Sequence, residues 1–226
     1  MKIGIGVTTY NRPKHLELWV NQANKFTEGV PCYVADDSQD RKGIAYRKNE
    51  CLKALKDCDY IFLFDDDTVV LKEGWAEFFI MAHELSGQHH FMYLKDTPGT
   101  RKIKEHLIIK ENGWGINEYK DCSGCMMFFT KEVIEKVGAY NPKYLTYGYE
   151  HAGYSNRIHK SGLTPLGAYT CPAGAGDYIY SLDLDHHLPF NRQVNHKPSI
   201  EINKLSEYVE QNKAIYLQDT EIYIPL

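Results

Sequence analysis

Residues 60–67 constrain this chain more than any other stretch. Five consecutive apolar residues, Tyr60-Ile61-Phe62-Leu63-Phe64, run directly into Asp65-Asp66-Asp67. An unbroken apolar run of this length reads as a strand buried on both faces, as in the middle of a parallel sheet. The aspartates then stand at the carboxyl end of that strand, where open α/β sheets bind their ligands. Adjacent carboxylates repel one another, so something positive must hold them together. Alternate residues of an extended segment point the same way, so Asp65 and Asp67 can face one site while Asp66 faces elsewhere. Hard oxygen ligands suit Mg²⁺ or Mn²⁺, completed by phosphates and water. The plainer alternative is a solvated acidic turn, which seldom follows an apolar run so abruptly.

Upstream, the chain alternates short apolar runs with helical patterns, as a parallel sheet with crossover helices requires. Strands are expected over 2–9 and 30–35. Helices are expected from Pro13, over 43–56 and over 75–85. Downstream, strands are expected over 90–95, 107–109 and 121–130, and helices over 131–137 and 151–160, the latter closed by Gly162. After Tyr169 the pattern loosens, and the tail from Ile200 reads as one helix and a last strand over 221–224. The whole is an α/β fold in a single domain.

The ends of the first two strands are polar as well. Thr8-Thr9-Tyr10-Asn11-Arg12 follows the first and Asp36-Asp37-Ser38 the second. Three strands ending in polar groups at one rim suit a nucleotide, although an Asp-Asp-Ser alone is a common turn. A chain of 226 residues buries roughly 70% of its unfolded surface and needs no staples. Its six cysteines are therefore read as reduced thiols. Cys122-Ser123-Gly124-Cys125 lacks the second pair a zinc site needs and opens a strand, which makes its cysteines core residues. No apolar stretch approaches the ~18 residues of a membrane span, and residues 1–7 are too short for a secretory signal. A cytoplasmic protein is expected, of a bacterium or a phage-infected host. The net charge of −4 argues against coating nucleic acid by bulk electrostatics. One basic patch, Lys95, Arg101, Lys102, Lys104 and Lys110 around Pro98-Gly99, reads either as a solvated loop or as contact with a phosphate-bearing ligand.

Four segments resemble, in order, the nucleotide-sugar half of a family 2 type glycosyltransferase of the GT-A fold. They are Val7-Thr8-Thr9-Tyr10-Asn11-Arg12-Pro13, Ala35-Asp36-Asp37-Ser38, Arg47-Lys48-Asn49 and Tyr60 through Asp67. Ser123-Gly124-Cys125-Met126-Met127-Phe128, Lys131-Glu132-Val133, Gly138-Ala139-Tyr140, and Gly148-Tyr149-Glu150-His151 through Arg157 and Gly162 resemble the acceptor half. The resemblance covers roughly 3–165. It implies a Rossmann-like, mostly parallel central sheet flanked by helices, with 1–95 holding the donor and 96–226 the acceptor.

The resemblance also implies roles. Thr8, Thr9 and Tyr10 line a uridine pocket, and Asp36 or Asp37 bonds the base. Arg12, Arg47 or Lys48, and Asp66 complete the donor side. Asp65 touches ribose and a metal-bound water, and Asp67 binds the Mn²⁺ or Mg²⁺ that bridges the diphosphate. These enzymes use a Glu-Asp pair as general base, where this chain has Glu150-His151. Glu150 is the favoured base, with His151 nearly equal. Among the late histidines, His187 of Asp185-His186-His187 is the expected further metal ligand. Gly124, Arg101, Lys102 and Trp114 are expected to meet the acceptor. The implied reaction is an inverting transfer from a nucleoside-diphosphate sugar, expected to be UDP-linked because no purine platform is evident. The acceptor would be a glycan, a protein or a hydroxymethylated base in phage DNA. Two other readings are weighed: a non-catalytic nucleotide- or sugar-binding module, and a nucleotidyltransferase, which normally shows a Gly-rich phosphate loop that Thr8–Arg12 lacks.

Overall fold

The computed structural model describes residues 1–27, 29–94, 108–111, 113, 115–197 and 202–226. The first half runs β1 (Ile3–Thr9), α1 (Pro13–Phe26), β2 (Cys32–Asp36), α2 (Ile44–Leu55), β3 (Tyr60–Asp65), β4 (Thr68–Val70), α3 (Trp75–Ser86) and β5 (His90–Met92). The second half runs β6 (Ile108–Glu111), β7 (Ile116–Tyr119), β8 (Met126–Thr130), α4 (Lys131–Val137), α5 (Glu150–Lys160), β9 (Thr170–Pro172), β10 (Ile179–Ser181), α6 (Phe190–Val194) and α7 (Ile202–Gln218).

The central sheet has the order β2-β1-β3-β8-β5. β1 pairs in parallel with β2 and β3, whereas β8 runs antiparallel to both β3 and β5. Both faces of the sheet are covered, so β8 is buried throughout and β3 from Ile61 to Phe64. Phe62, Phe64, Met126 and Phe128 enter one apolar layer with Trp19, Trp75 and Phe79. Ile61, Leu63, Met127 and Phe129 enter the other, with Leu52, Tyr140 and Tyr154. On β1 the first layer receives Ile5 and Val7, and the second side carries Gly4 and Gly6. A Cβ on Gly4 would lie 2.7 Å from Cys58 Sγ, and one on Gly6 2.6 Å from Cys51 Cβ. These glycines let α2 approach the sheet closely, which sets where α2 presents Arg47 and Lys48.

Parts of the fold differ from expectation. The strand expected over 107–109 is β6, but its sheet partners β7 and β9, and the pair β4-β10, are too short to carry a periodic signal. Only Met126–Thr130 of the span 121–130 is strand; residues 121–125 leave the sheet and become a wall of the cavity described below. The tail at 221–224 makes one isolated bridge, Gly138 to Ile224. A Cβ on Gly138 would sit 1.9 Å from Ile224 O, so only glycine admits the tail there. The basic residues Lys95, Arg101, Lys102 and Lys104, and also Trp114, lie outside the described residues. No helix among the described residues is long and apolar enough to cross a membrane.

His90 ties the central sheet to α5. Its Nδ1 is 2.9 Å from Phe128 O and its Nε2 2.8 Å from Ser155 Oγ. A carbonyl only accepts, so Nδ1 carries the proton and Nε2 accepts from the hydroxyl. Burial lowers the His90 pKa to about 4, below its unfolded value of ~6.5. The neutral ring is the native form, so its contribution is complete above pH ~6.5 and is lost as pH falls toward 4. The loss is on the order of 3 kcal/mol. Urea unfolding at pH 7 and pH 4.5 should show it, and a His90→Gln variant should show a flatter dependence. Equal pH dependence in the two proteins would contradict the assignment.

Candidate active site

A cavity of about 350 Å³ opens where β1, β2 and β3 end, facing the start of α5. The end of β1 supplies Thr8, Thr9, Tyr10 and Arg12, the segment after β2 supplies Asp37, and α2 supplies Arg47. Asp65 and Asp67 come from the end of β3, and Asp66 does not line the space. Opposite stand Gly124 with its neighbours, Tyr147, Glu150 and His151, with Ser181 buried in the wall and Asp183 at the lip.

The three aspartates are held by a defined set of partners. Thr8 Oγ1 donates to Asp65 Oδ1 at 2.9 Å, and Thr9 Oγ1 to Asp66 Oδ2 at 2.5 Å. Arg12 bridges the other two: Nη1 lies 2.9 Å from Asp67 Oδ2, and Nη2 bonds Asp66 Oδ1. Burial pushes the carboxyl pKa values of Asp66 and Asp67 upward, with Arg12 opposing and the neighbouring carboxylates adding to the rise. Burial works against the Arg12 charge, yet Asp67 and Asp66 outweigh it and raise its pKa. Asn11, with φ of 51°, is left-handed, a turn asparagine tolerates. Its N–H donates to Ser38 Oγ at 2.8 Å, and Pro13 opens α1 directly after Arg12.

Asp37 organises the β2-α2 turn. It accepts from Lys42 N at 2.8 Å, Gly43 N at 3.1 Å and Arg47 Nε at 2.8 Å. Arg41, on the same turn, lays its guanidinium 3.9 Å from the centre of the Tyr10 ring.

Across the cavity, Glu150 begins α5 after Tyr149, whose φ is 66°. A bulky residue held in that region costs on the order of 1–3 kcal/mol. Glu150 is 3% exposed. Its Oε1 is 2.9 Å from His151 Nδ1, and its Oε2 is buried without a partner. Burial alone would raise its pKa, but His151 and Lys48 reverse this and hold it at about 2. The carboxylate therefore accepts and Nδ1 carries a proton, which in the neutral ring leaves the lone pair on Nε2. The His151 ring rests on Gly124, where a Cβ would lie 2.8 Å from His151 Cγ. Beneath both halves lies Lys48, 0% exposed. Its Nζ donates to Gly124 O at 2.9 Å and stands 3.5 Å from Asp65 Oδ1. Burial disfavours its charge, and Asp65 and Glu150 outweigh burial to raise its pKa.

The structure brings together Thr8, Thr9, Tyr10, Arg12, Asp37, Arg47, Asp65, Asp67, Gly124, Glu150 and His151. Lys48 and Asp66 lie below the cavity floor, and Asp36 instead caps its own turn through Ser38 N at 2.9 Å. His187 stays away from the cavity. Its Nδ1 is 2.7 Å from Asp185 Oδ1 and its side chain is half exposed. The same turn directs Asp183 to the lip instead, where Asp183 Oδ1 meets His196 Nε2 at 2.7 Å. Sequence reasoning missed Asp183, although Asp183-Leu184-Asp185 follows a strand as Asp65-Asp66-Asp67 does. Cys122 and Cys125, read as core, form part of the wall because their segment leaves the sheet before β8.

A divalent ion fits this set in one way. Among the described residues no three His, Cys, Asp or Glu side chains converge to hold a metal. Asp65 and Asp67 both face the cavity, and one or two carboxylates completed by phosphate oxygens and water is the usual coordination of Mg²⁺.

Residues 105–180 match the family model for the N-terminal domain of galactosyltransferase. An uncharacterised glycosyltransferase of Acanthamoeba polyphaga mimivirus is 31% identical over 130 residues, which is 54% of this chain and 48% of that protein. The chain thus spans about half the length of that relative. S. aureus TarS superposes with a TM-score of 0.58 at 11% identity, covering 98% of this chain and 49% of that one. The mannosyltransferase PcManGT of Pyrobaculum calidifontis, solved with GDP-Man and Mn²⁺, superposes with a TM-score of 0.56 at 12% identity, covering 77% and 55%. The chain thus has the fold of these GT-A type glycosyltransferases, and parts of its sequence are similar to glycosyltransferase sequences.

Proposed function

We propose that this chain moves a sugar from a UDP-sugar to an acceptor hydroxyl with inversion at the anomeric carbon. The observation that carries the reading is the pairing, across one cavity, of the Asp65 and Asp67 carboxylates with the buried Glu150–His151 pair. An inverting displacement needs charge stabilisation on the leaving side and a base on the attacking side. Asp65 and Asp67 would hold Mn²⁺ or Mg²⁺, which when bound supplies Lewis-acid stabilisation to the leaving diphosphate.

The chain's own residues do the rest. Tyr10 offers a ring face to the base, and Asp37 keeps acceptor capacity for a base N–H. His151 Nε2 takes the proton of the acceptor hydroxyl as its oxygen bonds the anomeric carbon, while the bond from that carbon to the diphosphate oxygen breaks and UDP leaves. Glu150 orients the ring through Nδ1 and stabilises the imidazolium that forms. The sequence favours Glu150 as the base. The proposal moves that role to His151, because one Glu150 oxygen is bound to the ring and the other is buried. Tyr147 beside the pair gives a pyranose ring an aromatic face to lie on, which supports a glycan acceptor.

Titration calorimetry with UDP, GDP and CDP in the presence of Mn²⁺ tests the donor side. UDP should bind more tightly than GDP, since among the described residues Tyr10 and Tyr147 are the Phe, Tyr or Trp rings that line the cavity and they offer no stacked pair for a purine. It should bind more tightly than CDP if Asp37 accepts from the uracil N–H. Tighter binding of GDP or CDP would refute the uridine assignment.

A further inference from the structure

Arg12 makes two contacts at the acidic end of the cavity, and the second competes with the proposed divalent ion. Its Nη2 bonds Asp66, which is fully buried, and that contact belongs to the fold. Its Nη1 lies 2.9 Å from Asp67 Oδ2, on a carboxylate that faces the cavity and that the proposed function gives to a divalent cation. A guanidinium and a divalent ion on one carboxylate repel each other strongly at such range. A third feature shows that this arrangement is incomplete. Arg12 Nε is buried with no acceptor, although buried donors are almost always satisfied.

We propose that Arg12 is a displaceable counter-charge, a latch that occupies Asp67 in the absence of donor and opposes binding of a divalent cation alone. The inference rests on the proposed use of Asp67 as a metal ligand. A diphosphate entering the cavity offers the guanidinium another anion, which Arg12, itself a lining residue, can meet by side-chain rotation. Asn11 and Pro13 fix the backbone on either side, and Thr9 Oγ1 continues to hold Asp66. Nucleotide and cation thus bind as a coupled pair, each raising the affinity for the other.

The test is Mn²⁺ binding to the full chain without nucleotide, read from the electron paramagnetic resonance signal of free Mn²⁺. Arg12→Gln should bind Mn²⁺ at least about tenfold more tightly than wild type, while Arg12→Lys, which keeps the charge, should gain much less. Adding UDP should narrow the gap to about threefold or less, because the nucleotide releases the latch in wild type. The double variant Arg12→Gln/Asp66→Asn removes the buried charge together with its partner and serves if the single variant does not fold. Variants that bind Mn²⁺ no more tightly than wild type would overturn the latch, provided wild type binds Mn²⁺ with UDP. If no protein binds Mn²⁺ even with UDP, the metal assignment of Asp67 fails and the latch fails with it.

Discussion

Replacing His151 by alanine is expected to slow sugar transfer by ~10²–10⁴-fold, the usual cost of losing a positioned base, with UDP binding unchanged. The expectation follows from accessibility. Glu150 has one oxygen bound to His151 and the other buried, so an acceptor hydroxyl entering the cavity meets the imidazole first. With its pKa held at about 2, Glu150 is ionised at any working pH, and its charge stabilises the imidazolium once the proton has moved. Glu150→Gln should also lower kcat, through loss of that charge and of the fixed tautomer. Added imidazole separates the two roles: it should restore part of the His151→Ala rate and none of the Glu150→Gln rate. Near-full kcat in His151→Ala together with an inactive Glu150→Gln would return the base to the carboxylate.

A second large effect is expected at Asp67. Asp67→Asn should lose transfer by roughly 10³-fold or more, because the charge stabilisation it supports is worth several kcal/mol. The fold should survive. Asparagine keeps the volume, one of three mutually repelling carboxylates becomes neutral, and Arg12 retains Asp66 as its partner. The melting temperature should therefore hold or rise while the initial rate in Mn²⁺ collapses. Transfer that continues undiminished in Asp67→Asn with a chelator present would refute the role given to this residue.

Much of this site is legible in the sequence because it sits on the one kind of element that sequence shows clearly. The apolar run ending at Asp65-Asp66-Asp67 marks a central strand, and alternation separates the two cavity-facing carboxylates from the buried Asp66. The partners of these groups are less visible. Nothing in Arg12 shows that it reaches across 55 residues to Asp67, and nothing in Lys48 shows that it lies under Asp65 and Gly124. The Lys48 contacts depend on the close approach that Gly4 and Gly6 allow α2. The segment after β10 was harder still. The strand before it, β10, is three residues long, and adjacent polar residues after it leave open which side chain turns inward, so the sequence points to His187 where Asp183 reaches the lip. The Glu150–His151 pair was readable as a pair, but its internal order required the burial of Glu150.

The most direct test of the central claim is the configuration of the product. Purified protein would be incubated with an α-linked UDP-sugar, Mn²⁺ and a glycan acceptor, and the new linkage read by ¹H NMR from its anomeric coupling constant. The account predicts a β linkage formed in step with released UDP, and no transfer when Asp67 is asparagine. A product that keeps the α configuration would contradict a single in-line displacement with His151 as its base.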